Sequence, residues 1–396
     1  MPSGNLSPSR RTFLRLSAVA SAAAAFNMVS EPMLAAAARH RPFSTDAVMI
    51  DSNENPLGPS QPARDAMSAI IPLGGRYMDN LTDELVHTFA QQESLSPDYI
   101  HAFPGSTPPL RFGVVAFTSP QKSYVGADPG YEAGPYAAEA TGARVVKVPL
   151  TKSYAHDVKA MIAAAPDAGV FYICNPNNPT GTLTPHSDID YLVENKPQGS
   201  VVMVDEAYIH LCDAPSALDF VKAGKDVVVL RTFSKAYGMA GLRCGFAVAR
   251  PELLDKIMDR SGWNFMPVTA LVAASASLKD PGLVPERKRI NARVRQETFR
   301  WLDRNGYSYI PSVSNCFLLD TKRPAKPVID AMAQQNVFIG RIWPIMPTCT
   351  RITVGTQEEM ERFQSALQKV MRGTTAFSLR LARPMQNPRR AAVLPT

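Results

Sequence analysis

The sequence is short of the residues that build metal clusters and disulfide frameworks. Its 396 residues include five cysteines, Cys174, Cys212, Cys244, Cys316 and Cys349. They are scattered, odd in number and without a Cys-x-x-Cys pair. No zinc site or disulfide scaffold is therefore expected, and the cysteines read as small buried side chains. Beyond the first 38 residues no apolar run is long enough to span a bilayer, and no internal repeat is visible. Acidic residues are almost missing from both ends. Residues 1–41 carry five arginines and one acid, Glu31, and residues 371–396 carry five more arginines and no acid. The body between them holds 32 basic and 34 acidic groups, so the net charge of +7 belongs to the ends. A nucleic-acid binder would carry its charge as a patch on a folded face, and that class is set aside.

What is present fits a soluble globular chain, with 45% hydrophobic and 19% charged residues. The length predicts two domains. The first 38 residues have a secretory layout. Adjacent Arg10 and Arg11 precede a short Ala-rich apolar stretch, and LAAAAR offers small residues for cleavage near Ala38. The string SRRTFL resembles a twin-arginine export signal, which implies a periplasmic or secreted mature protein with no membrane anchor. A basic, Ala-rich start without that role is the alternative, and it would leave the protein cytoplasmic.

From there the pattern is α/β. The runs GVFYICNPNNP, GSVVMVDEAY, DVVVLRTFSK and LRCGFAVAR are β-branched or apolar and end in polar loops. Amphipathic stretches such as HSDIDYLVEN separate some of them. That alternation predicts a mostly parallel sheet sandwiched by helices, with ligands at the carboxyl ends of its strands. After about residue 285 a long charged helix, RKRINARVRQETFRWLDRNG, leads to short strands at NCFLLD and TRITVGT and a last helix at EEMERFQSALQKVMR. The expected division is a signal at 1–38, an N-terminal arm at 39–72, a large domain at 73–285, a smaller α+β domain at 286–372 and an irregular basic tail at 373–396.

The strand ends carry the chemistry. In RTFSKAYGMAGLR, Lys235 follows Ser234 among small and apolar neighbours, a setting suited to an amine that reacts with an aldehyde. Such chemistry needs an electron sink, which pyridoxal phosphate provides if a carboxylate keeps its ring nitrogen protonated. Asp205 in VDEAY stands at a strand end and would gain the pairing that a buried carboxylate needs. Tyr208, three residues on, and Asn178 in CNPNNPTG can both reach the ring's phenolic oxygen. The loop PGST, with Ser106 and Thr107 before Pro108, forms a helix start suited to an anion. Arg243 adds a charge-assisted contact, Thr232 and Ser234 add hydroxyls, and Tyr131 in DPGYEAG can stack on a ring. Each motif alone has a plainer reading as a turn, a strand end or a solvated lysine. Their order along the chain is what carries weight.

In that order the chain resembles a fold-type I pyridoxal-phosphate aminotransferase, of the class that includes histidinol-phosphate aminotransferase. The resemblance runs from SNENPLGPS to the helix after TRITVGT. It implies that Lys235 holds the cofactor and shuttles a proton, and that Asp205, Tyr208, Asn178 and Tyr131 bind the ring. It implies that Ser106, Thr107, Thr232, Ser234 and Arg243 hold the phosphate. Tyr77 in GRYMDN resembles the tyrosine that reaches the phosphate of a neighbouring subunit, which implies a homodimer. Arg351 and Arg341 resemble arginines that hold the substrate's acidic group, so the partners implied are a small anionic amino compound and a 2-oxo acid. The chain departs from the family at Pro108 and Pro109, where acidic residues are usual. It departs again at Trp263, where a tyrosine is common, and in residues 34–46, which lack a tyrosine. The expectation is an exported aminotransferase. The alternatives are a cytoplasmic histidinol-phosphate aminotransferase, and a pyridoxal-phosphate oxidase, lyase or non-catalytic relative.

Overall fold

A computed structural model describes residues 46–262 and 264–381, with side chains to residue 372. The segment expected to direct export, the start of the arm, Trp263 and residues 382–396 lie outside the described residues. Twelve strands are described in chain order: β1 (Val48–Ile50), β2 (Ile100–Phe103), β3 (Ser123–Asp128), β4 (Val145–Pro149), β5 (Ala168–Cys174), β6 (Val201–Asp205), β7 (Val227–Thr232), β8 (Gly245–Val248), β9 (Ser308–Tyr309), β10 (Cys316–Asp320), β11 (Val337–Ile339) and β12 (Cys349–Thr353).

Seven of them form one sheet in the order β2-β8-β7-β6-β5-β3-β4. All pairings are parallel except those of β8, which runs against β2 and β7. Strands β5 to β8 are buried at every residue. This is why they read as continuous apolar runs: helices cover both faces, so both sets of alternating side chains are apolar. Phe171, Ile173, Val202, Val204, Val227 and Val229 pack into one core. Their neighbours Val170, Tyr172, Val201, Met203, Val228 and Leu230 pack into the other. Helices Gln61–Ile70, Asp79–Glu93, His186–Asn195 and Val268–Leu278 contribute to the first core, and Thr107–Phe117, Ala133–Ala140 and Pro251–Ser261 to the second.

A third core joins β1, β10, β11 and β12 to the helices Leu283–Arg304, Ala325–Gln334 and Gln357–Leu381 through residues such as Phe317, Ile352, Val328 and Phe363. Here β12-β10-β9 form an antiparallel sheet, and β1 pairs in parallel with β11. The arm is thus anchored in the smaller unit by β1 before it crosses to the large sheet. The last helix corrects one expectation. It runs to Leu381, nine residues into the segment expected to be irregular. The physical reason is that Pro384 is the first proline after Gln357, and Gly373 alone costs a helix only about 1 kcal/mol. Among the described residues, no helix is long and apolar enough to cross a membrane, and no group of three or more His, Cys, Asp or Glu could hold a metal.

Candidate active site

The parallel strands deliver their carboxyl ends to one edge of the sheet, and a cavity of about 210 Å³ opens there. It is lined by Ser106, Thr107, Tyr131, Asn178, Asp205, Tyr208, Thr232, Ser234, Lys235, Arg243 and Arg351. Eleven of the thirteen residues picked out in the sequence therefore meet at one place. Tyr77 and Arg341 do not line it. Tyr77 is 71% exposed and stacks on Phe265. Arg341 is buried and ion-paired with Glu132.

One end of the cavity is made for an anion. Between β2 and the helix Thr107–Phe117 the chain passes through Gly105 at φ +90°. A Cβ at Gly105 would lie 2.1 Å from Arg243 Nη2, and one at Gly245 would lie 2.9 Å from the Ser106 nitrogen. The two glycines let the loop and the guanidinium close together. Arg243 donates to the carbonyls of Pro104 (3.0 Å) and Ala240 (2.8 Å) and to Ser234 Oγ (3.3 Å). Among the described residues it makes no ion pair. Thr232 Oγ1 donates to Ser234 Oγ at 2.9 Å. The Ser234 backbone N–H donates back to Thr232 Oγ1 at 3.2 Å. A helix start, four hydroxyl-bearing side chains and an arginine without an acid form a cradle that a phosphate fits.

The other end is a buried carboxylate. Asp205 closes β6 and accepts from Tyr172 (2.9 Å) and from the Ala207 backbone N–H (3.1 Å). Burial pushes its carboxyl up to about 6, against the pull of these two donors and of the Lys235 charge. A protonated ring nitrogen would supply the counter-charge that Asp205 lacks. Between the two ends stands Lys235, whose Nζ is 3.4 Å from the Ser52 carbonyl and 5.7 Å from the centre of the Tyr208 ring. Tyr208 accepts from Asn53 at 3.0 Å, and burial holds its phenol well above the ordinary range. Tyr131 and Thr107 share a hydrogen bond at 3.2 Å. Arg351, fully buried, donates to Asn178 Oδ1 (2.9 Å) and to the Asp51 carbonyl (2.7 Å). The Asn178 side-chain amide N–H groups remain to serve a ring oxygen.

Three supporting features did not stand out in the sequence. Asn53, at φ 54°, ties the arm to Tyr208, Cys316 and Thr353. Tyr172 sits inside an apolar strand and shows its purpose only through Asp205. Beneath β6 and β7, Arg231 Nε donates to Glu206 at 2.7 Å, and Ser216 and the Ala217 N–H complete that buried pair. An arginine in the run DVVVLRTF, and an acid directly after Asp205, were the available signals for it.

The fold and this cavity suit a lysine-dependent enzyme that uses pyridoxal phosphate, in which Arg243 would hold the phosphate and Asp205 would face the ring nitrogen. The comparisons with known proteins narrow the class. A family model described as aminotransferase class I and II matches residues 50–367, and the chain belongs to that family. The histidinol-phosphate aminotransferase of Moorella thermoacetica is 33% identical over 82% of this chain and 86% of its own. Histidinol-phosphate aminotransferase 1 of Dechloromonas aromatica is 36% identical over 82% of this chain and 90% of its own. A crystal structure of the Sinorhizobium meliloti histidinol-phosphate aminotransferase in complex with pyridoxal-5'-phosphate matches at a TM-score of 0.76 and 25% identity, covering 85% of this chain and 97% of that one. The protein is a pyridoxal-phosphate-dependent aminotransferase.

Pyridoxal phosphate, when bound, supplies the electron sink for cleaving a bond to hydrogen at the substrate's amino carbon. The protein's own residues do the rest. Lys235 is the one lysine in the cavity lining, and its Nζ is the group there that would take and return the proton. Asp205 would keep a facing ring nitrogen protonated. Tyr208 and Asn178 would orient the ring, and Arg351 would position the substrate.

Proposed function

We propose that the chain moves an amino group between an anionic amino compound and a 2-oxo acid, with the substrate's acidic group on Arg351. One observation carries this reading. Arg351 is a buried guanidinium on the wall of the lysine cavity, oriented by Asn178 and the Asp51 carbonyl, and it has no ion pair among the described residues. Such a fork suits a carboxylate or phosphate. The test is a donor screen on the loaded protein. A competent amino donor should bleach the visible band of the bound coenzyme, and a 2-oxo acid should restore it. Lys235→Ala should lack the band and the response. A band that survives in Lys235→Ala would refute the assignment of that lysine.

A second reading takes histidinol phosphate as the amino donor. It is supported by the names and the 33–36% identity of the relatives. Rescue of a histidine-requiring strain would favour it. Two further parts of the proposal rest on sequence. Tyr77 serves a partner's site in a homodimer, a reading that its exposure supports and that light scattering would test. Residues 1–38 direct twin-arginine export, and Arg10→Lys with Arg11→Lys should keep the uncut protein in the cytoplasm.

A further inference from the structure

The two arginines expected to hold the substrate are not equivalent, although they are neighbours. The Arg351 backbone N–H donates to the Arg341 carbonyl at 3.2 Å. Both guanidinium carbons lie near the Trp343 ring, at 4.9 Å for Arg341 and 5.8 Å for Arg351. Trp343 in turn donates to the Gly130 carbonyl at 3.0 Å, which ties this corner to the loop that carries Tyr131 and Glu132. The Glu132 carboxylate sits on Arg341, whose side chain is 1% exposed. Among the described residues Arg351 has no such acid, and it opens on the cavity.

We propose that Glu132 is a specificity-determining residue: by occupying Arg341 it leaves a single cation for the substrate, so the group anchored here is a carboxylate and not a phosphate ester. This rests on the substrate reading above and deepens it. The charge argument is direct. A phosphate ester carries close to two negative charges near neutrality, and a carboxylate carries one. With Glu132 present, the Arg341–Arg351 corner offers one positive charge. To recruit Arg341 the phosphate would have to displace Glu132 and leave a part-buried carboxylate without its partner, which opposes the exchange. A carboxylate meets Arg351 alone and needs no exchange.

The experiment uses the coenzyme-loaded protein and two measurements. The first compares L-histidine with L-histidinol phosphate as donors, by the rate at which each bleaches the coenzyme band. The two share a side chain and differ at the anchored group. The second titrates acetate and methylphosphonate, which cannot react, and follows tryptophan fluorescence at a pH where the phosphonate is a dianion. The wild type should prefer histidine and bind acetate more tightly. Glu132→Gln should improve methylphosphonate affinity by about tenfold relative to acetate, the gain from one added charge-assisted contact. The proposal is overturned if the wild type prefers the phosphorus compounds, or if the ratio is unchanged in a folded Glu132→Gln. Should that variant not fold, the wild-type ratios decide. If neither donor bleaches the band while acetate still binds more tightly than methylphosphonate, the side chain these donors share is wrong for the site and the charge assignment stands.

Discussion

The two ends of the cavity solve the problem of holding a charged ring by opposite means. At the Arg243 end, charge is received by many partners: a helix start, Ser106, Thr107, Thr232, Ser234 and one part-buried guanidinium. At the Asp205 end there is one carboxylate, fully enclosed, held by Tyr172 and a single backbone N–H. The difference teaches where losses are shared. A cradle of several donors loses a fraction of its hold when one is removed. A lone buried charge has no substitute. Removing one member of a buried charge pair costs about 3–5 kcal/mol, whereas a typical neutral hydrogen bond is worth about 1 kcal/mol.

Asp205→Asn is therefore the severest test of the contrast. It keeps the shape and removes the charge. The fall in kcat/KM of the loaded enzyme should be about 10²–10³-fold, with the cradle intact and coenzyme still bound. An effect of only a few-fold would mean that the charge at this end is not what tunes the ring.

The same carboxylate should make stability depend on pH in the coenzyme-free protein. Its pKa rises from 3.8 to about 6 on folding. The folded state thus favours the proton. The stabilising contribution is fully present below the unfolded value and is lost as pH rises through about 6. Two pKa units correspond to about 3 kcal/mol. Buried His210 and His156 act the other way, being held neutral with values lowered to about 3 and about 4. Their effect is common to wild type and Asp205→Asn, so the difference between the two isolates Asp205. Denaturant melts of both, coenzyme-free, should show the wild type gaining on the variant as pH falls from 7 towards 4. Parallel curves would mean that Asp205 is not desolvated.

Arg243→Ala tests the shared end. It removes the strongest single donor of the cradle, and coenzyme affinity should weaken by about 10–100-fold, in line with about 1.5–3 kcal/mol for a hydrogen bond to a charged group. A spectroscopic titration with pyridoxal phosphate measures it. A loss as deep as that of Asp205→Asn would remove the distinction between the two ends.

The sequence was most legible where one residue type has one use. Lys235 after a serine, Asp205 at the end of an apolar run, and PGST before a proline-started helix each announce a strand end, and the parallel sheet carries all of those ends to one edge. Strands β5 to β8 were readable because strands buried on both faces are continuous apolar runs; β4, partly exposed, carries no such run. What did not show were contacts between parts distant in the chain. Asn53 reaches Tyr208, 155 residues away, and nothing local in SNENP says so. Arg341 and Arg351 look alike in sequence; Glu132, 209 residues from Arg341, separates their roles. The last helix outran its expected end because the lack of a regular period after residue 372 was read as a break, where Gly373 alone does not end a helix.

Ser234→Ala gives the smallest change and the finest reading of the cradle. Ser234 Oγ accepts from Thr232 and from Arg243, so its loss removes one hydroxyl and leaves two donors pointing at the same space. If a bound phosphate takes over those donors, the cost is one neutral hydrogen bond, about 0.5–1.5 kcal/mol, and affinity for pyridoxal phosphate falls only about 2–10-fold. The thermal stability of the coenzyme-free variant should fall more than that of the loaded one, because a phosphate is a stronger acceptor for Thr232 and Arg243 than the Cys244 and Ala240 carbonyls that remain to them. Equal losses in both states would mean that Ser234 serves the fold and not the anion.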